Sequence, residues 1–142
     1  MRGALGPSAY RWPMAVWRRR ALEVFPECAH DGDALRSAFA LCFWLLPATR
    51  DAHRRGDVEF LGHAYDYAQW AHHQRAGSTL GNTVDVGFYE HLFDDWSLRK
   101  DIAPWLSTSV RHDLWSLWAQ RLEPDHLAEL RHLFAHLPSR RT

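Results

Sequence analysis

The residues best equipped for chemistry in this sequence are histidines and carboxylates. His126, Glu129, His132 and His136 recur at spacings of three and four near the C-terminus, which strings them along one helix within mutual reach. A Glu-x-x-His pair of this kind supplies ligands to carboxylate-bridged di-metal sites in helical bundles. Those sites need two copies of the motif plus further glutamates, and this chain holds one copy. His132 also falls toward the polar side of its helix. No HExxH occurs, and no Cys/His grouping has zinc-finger spacing. A helical metal-binding protein or enzyme using these four residues is therefore an alternative, and no cofactor is expected. His63 and Asp66, three apart, could form an oriented base or a plain surface contact. His72-His73 falls at an expected helix end, where an imidazolium complements the dipole. The GxSxG, GxGxxG and GxxxxGK motifs are absent, and neither Cys28 nor Cys42 sits in an exposed electropositive setting. The expectation is a protein that is not an enzyme.

Asp85 is the single most interesting residue. Over Gly81–Trp96, at 100° per residue, Val84, Phe88, Tyr89, Leu92, Phe93 and Trp96 share one broad apolar arc. Asp85 lies inside that arc with Asn82 near it, while Glu90, Asp94 and Asp95 lie outside or at its edge. A buried carboxylate must be paired or hydrogen-bonded, or it protonates. Asp85 is thus expected to accept from an indole N–H, an Arg or a helix N-terminus inside the core. Alternatively, Asp85, Asn82 and Tyr89 line a groove that meets a partner.

The elements that would position these residues are helical throughout. Residues 1–9 read as a flexible leader, and Pro13 suits the first turn of a helix running to about Phe25. Asp31 or Asp33 would cap a second helix whose inner face is Leu35, Ala38, Phe39, Cys42, Phe43 and Leu46. Pro47 should kink or break it before it continues to Arg55. Gly56 stops that helix, and Asp57 can cap a third that buries Phe60, Leu61, Ala64, Tyr65, Ala68 and Ala71. A turn at Gly77-Ser78 leads into the helix from about Thr79 to Trp96. A short piece spans Arg99–Leu106, and Ser107 to Ser109 offer caps for a helix with Val110, Leu114, Leu117 and Trp118 inward. Pro124 opens the last helix, with Leu127, Leu130, Phe134 and Leu137 inward, followed by a mobile basic tail at 138–142. Alternating strand patterns and a fixed repeat period are absent. The fold expected is all-α, a single domain over 10–137 of about six to seven helices in antiparallel, bundle-like or short solenoid packing.

Composition sets the remaining bounds. A chain of 142 residues with 46% hydrophobic and 24% charged content has the make-up of one soluble globular domain. Two cysteines make no disulfide framework, and no signal peptide or membrane-length apolar run is visible, which points to the cytoplasm and away from a membrane. The net charge of zero is a cancellation: residues 57–95 carry seven acids against Arg75 alone, while nine Arg precede them against five acids. Either the middle presents an acidic surface, or flanking helices neutralise it. The run Arg18-Arg19-Arg20, with Arg11, Trp12 and Trp17, raises a third possibility of a nucleic-acid-associated adaptor. Three consecutive Arg spread over three helix faces, so a nucleic-acid partner is not the first expectation.

The run from Gly81-Asn82 to Phe88-Tyr89-Glu90-His91-Leu92-Phe93, followed by Ile102-Ala103-Pro104-Trp105-Leu106, resembles a family of small helical bacterial proteins of unknown function. Several proteins of that type look like immunity proteins of toxin systems. The resemblance implies a non-enzymatic protein–protein interaction module that binds a basic toxin domain through an acidic surface at residues 57–95. Its contact residues would be Glu59, Asp66, Glu90, Asp94 and Asp95 as steering acids, Tyr89 and Trp96 as anchors, and Asp85 if it is exposed.

Overall fold

The structure, a computed structural model, describes residues 14–74 and 79–141. The expected leader, the helix start at Pro13, Arg11, Trp12, Arg75 and the Gly77-Ser78 turn lie outside the described residues. Among the described residues the fold is all-α and has no strand. Seven helices succeed one another: α1 (Val16–Val24), α2 (Ala38–Arg55), α3 (Val58–His72), α4 (Leu80–Val84), α5 (Arg99–Ile102), α6 (Thr108–Arg121) and α7 (Pro124–His136). Helices α2 and α3 pack on each other and both meet α4, α3 also meets α1, and α6 pairs with α7.

Local chemistry sets most of the boundaries. Gly56 ends α2 in the left-handed region at φ 70°, a conformation that costs glycine least. One residue on, the Asp57 carboxylate accepts the Phe60 N–H at 3.1 Å and caps α3. Ser107 does the same for α6, and Pro124 stands in the first turn of α7. The cap of α2 is Ser37, whose hydroxyl accepts the Ala40 N–H at 3.0 Å; Asp31 and Asp33 lie in the turn before it.

Two expectations for α2 are corrected. Pro47 does not interrupt the helix, which runs unbroken through it. The residue is exposed, and the carbonyl its ring deprives of a partner belongs to Phe43, also on the outer face. Phe39 and Phe43 face solvent instead of the core, at 42% and 72% exposure. The buried face is Leu41, Cys42, Leu45, Leu46, Thr49, Ala52 and His53, a narrower stripe that lets neighbouring backbone come close. Gly87 takes that approach: a methyl group placed on it would lie 2.9 Å from Cys42 Cβ.

The helix expected from Thr79 to Trp96 is also different. It is α-helical only to Val84 and then widens into a π turn at Asp85–Tyr89, closed by the Glu90 N–H donating to the Asp85 carbonyl at 2.8 Å. Short 3-10 turns follow at Leu92–Asp94 and Trp96–Leu98. The extra residue in the π turn changes the phase of the apolar arc, so adjacent Phe88 and Tyr89 are both buried. Trp118 ties this segment to α6 by donating its indole N–H to the Tyr89 carbonyl at 2.8 Å, which satisfies a fully buried Trp. The basic tail folds back: the Arg140 N–H donates to the Pro104 carbonyl at 2.7 Å, and Arg141 pairs with Asp66.

Candidate functional site

Asp85 reaches a partner that the sequence did not nominate. The His72 side chain, 7% exposed at the end of α3, sits between two carboxylates. Its Nδ1 lies 2.7 Å from Asp85 Oδ1 and its Nε2 2.9 Å from Asp113 Oδ2 on α6. Each carboxylate is an acceptor, so an imidazole that serves both must carry both protons. The hydrogen bond to Asp85 raises the His72 pKa above its ordinary value; burial opposes this and the Asp113 bond adds to it. Asp113 is correspondingly held below the usual carboxylate range, chiefly by its bond to His72. A histidine with both ring nitrogens engaged has no lone pair to accept a substrate proton. The arrangement clamps α3, the π turn and α6 together. Asp113 was missed because it precedes Leu114 on a helix read for its apolar stripe, and nothing local marks it as the second acceptor.

A second buried histidine, His53, bonds through Nε2 to the Tyr65 hydroxyl at 2.7 Å. Burial pushes its pKa down to about 4, so it stays neutral and locks α2 onto α3.

The acids of residues 57–95 are largely spent inside the fold. Glu90 and Asp94 face Arg121, with Asp94 taking two of its N–H groups at 3.0 and 2.8 Å. Asp94 also meets His91 Nδ1 at 2.9 Å, and the Arg121 and His91 bonds outweigh its burial to hold its pKa below the usual carboxylate range. Asp95 takes Ser97 and Arg54, whose bonds depress its pKa in that order. Asp57 caps α3 and meets Arg55, and Asp66 pairs with Arg141. Glu59 is exposed and has no ion-pair partner among the described residues. The Arg residues that neutralise this middle come from α2, α6 and the tail.

The anchors divide. Tyr89 is 1% exposed, with its ring 5.2 Å from Phe88 and 6.1 Å from His72. The π turn carries it inward, so it is a core residue and is corrected as a contact residue. Asp85 is likewise committed to His72, at 2.7 Å. Trp96 is half-buried and stacks on His126 at 4.1 Å, with the Arg99 guanidinium over its ring.

The four candidate metal ligands do not converge. His126 lies flat on Trp96, Glu129 is held by Arg99, and His136 Nδ1 bonds the His132 carbonyl at 2.9 Å. Among the described residues no three His, Cys, Asp or Glu side chains gather closely enough to hold an ion. Within the Arg run, Arg18 donates to the Leu35 carbonyl at 2.8 Å and Arg20 lies over Trp70, leaving Arg19 exposed.

What the surface does offer is aromatic. The rings of Phe39 and Phe43 lie 5.9 Å apart on the outer face of α2, followed by exposed Pro47 at the same helical spacing. The segment that leads into α2 carries the carboxylates of Glu23, Glu27, Asp31 and Asp33, all exposed. Phe25 brings that segment against α2, with its ring 5.6 Å from Trp44. Only Asp33 among these four has an ion-pair partner in the described residues, Arg36 at 3.6 Å.

Among the described residues no helix is long and apolar enough to cross a membrane. No curated protein matches the chain, and no solved structure matches it. Residues 18–124, from α1 to the first residue of α7, match a domain of unknown function, DUF7674. The chain belongs to the family defined by this domain of unknown function, DUF7674.

Proposed function

We propose that this chain is a non-enzymatic protein-binding module, an immunity-type inhibitor that seats the outer face of α2 on a basic toxin domain. The observation that carries the proposal is the exposure of Phe43 at 72% and Phe39 at 42%, as an i, i+4 aromatic pair on a stable 18-residue helix. Large apolar groups held out in water next to one another are what a partner covers. Exposed Glu23, Glu27, Asp31 and Asp33, on the segment that leads into α2, favour a basic partner through charge complementarity. The contact thus moves from residues 57–95, whose acids are mostly engaged by Arg, to residues 23–47.

The chemistry of the interior supports binding over catalysis. Of the two most buried histidines, His72 has both ring nitrogens bonded to carboxylates, and His53 is bonded through Nε2 to the Tyr65 hydroxyl. The test is the association rate of the chain with a toxin domain that it neutralises, followed by stopped-flow fluorescence at several salt concentrations. Triple charge reversal of Glu27, Asp31 and Asp33 to Lys should slow association about tenfold or more and flatten its salt dependence. An unchanged rate and salt slope, with the same reversal at Glu90, Asp94 and Asp95 slowing binding instead, would return the contact to the middle of the chain.

A further inference from the structure

Between α6 and α7 runs an open groove of about 790 Å³, within the size range of pockets that hold small molecules. One wall is aromatic, with the rings of Trp115 and Phe134 packed edge to face, their centroids 6.1 Å apart. The ionisable side chains along it are those of Arg111, half-buried, and of Arg131 and His112, both exposed. Among the described residues no carboxylate lines it. Asp113, behind His112, is shared: its Oδ1 lies 3.4 Å from His112 Nδ1 and its Oδ2 2.9 Å from His72 Nε2.

Arg111 is the decisive residue. Its guanidinium lies 4.5 Å from the centre of the Phe134 ring and donates to three backbone carbonyls, those of Ala103, Phe134 and Leu137. No carboxylate pairs with it among the described residues, and its Nε is buried without a partner. Burial lowers its pKa, which is the mark of a cation whose desolvation is not offset by a counter-charge. The carbonyls of the last turn of α7 supply only partial negative charge. Arg131, exposed and stacked on Trp115 at 4.6 Å, adds a second cation whose donors remain available at the rim.

We propose that this groove binds a small anionic ligand, with a carboxylate, sulfonate or phosphate carried on a flat aromatic body. The ring would lie along the groove against the edge-to-face pair of Trp115 and Phe134, and the anion would sit against Arg131 within the field of Arg111. Ser116 on the wall offers a hydroxyl for orientation. The groove involves none of the residues proposed to meet a protein partner, so the two sites can fail independently.

The test uses the full chain and two fluorescent probes of similar ring structure, anionic 1-anilinonaphthalene-8-sulfonate and neutral N-phenyl-1-naphthylamine. The anionic probe is expected to bind saturably at one site, about tenfold or more tighter than the neutral one. Arg131→Gln should weaken the anion about tenfold while leaving the neutral probe unchanged. Ser116→Phe, which fills the groove from an exposed position, should abolish both. Far-UV circular dichroism and melting temperature, unchanged in both variants, separate lost binding from lost folding. Equal affinity for the two probes, undiminished binding by either variant, or no saturable binding at all would overturn the proposal.

Discussion

Replacing His72 with Ala removes the clamp between Asp85 and Asp113, and its cost can be worked from the geometry. Two charge-assisted hydrogen bonds, at 2.7 and 2.9 Å, would each contribute about 1.5–3 kcal/mol if well shielded. The acceptor side chains are 22% and 36% exposed, so water relieves part of the loss when the imidazole goes. The net penalty expected is about 2–4 kcal/mol, which for a domain of this size lowers Tm by roughly 6–14 °C. The pH dependence is the sharper signature. The folded pKa of His72 lies above its unfolded value, so its contribution is complete below about pH 6.5 and is lost as pH rises through the folded value. Urea unfolding followed by Trp fluorescence should therefore show a larger gap between wild type and His72→Ala at about pH 5.5 than at about pH 9. A gap that is constant or that widens with pH would refute the picture of an imidazolium held between two carboxylates.

Other outcomes follow from the same packing. His53 has the opposite sign: its folded pKa of about 4 lies below the unfolded value, so stability falls as pH drops through about 6.5 towards 4. The slope approaches about 1.4 kcal/mol per pH unit, and His53→Gln should flatten it in urea titrations. Gly81→Ala should cost about 3 kcal/mol or more, because its new methyl group would meet the His72 and Gln74 carbonyls at 2.9 Å, and backbone cannot swing aside. Gly87→Ala should cost less, about 1–3 kcal/mol, since side-chain atoms of Cys42 and Phe39 are among its obstacles; paired thermal melts rank the two. Phe43→Ser should leave unfolding free energy within about 0.5 kcal/mol of wild type, whereas a Phe buried in the core would lose about 3–5 kcal/mol on truncation. A large loss at Phe43 would mean that the residue faces inward.

The parts of the fold that were legible in the sequence are those fixed by local chemistry. Gly56 with Asp57, Ser107, and Pro124 each mark a helix end through a backbone conformation or a cap that needs no distant partner. The stripe Val110, Leu114 and Trp118 was likewise readable, because a regular helix keeps a constant phase. The misread regions are those where phase or orientation is set from afar. One extra residue in the π turn buries Tyr89 beside Phe88, and no composition signal marks it. Phe39 and Phe43 look like core residues by size, yet the face of α2 that turns inward is the one carrying Cys42, which Gly87 approaches closely. Ion pairing was only half visible: the charge imbalance of residues 57–95 is plain, but Arg121 on Asp94 and Arg54 on Asp95 depend on helices meeting across 27 and 41 residues of sequence. The aspartate–histidine–aspartate clamp is non-local in the same way, since its three members come from three elements.

The assignment of α2 as the contact face rests most directly on the affinity of the chain for the toxin domain that it neutralises. Isothermal titration of that domain with wild type and with the Phe39→Ser, Phe43→Ser double variant should show a 1:1 complex weakened about 100-fold or more by the double change. An affinity within about twofold of wild type, from a variant that is still fully folded, would contradict it.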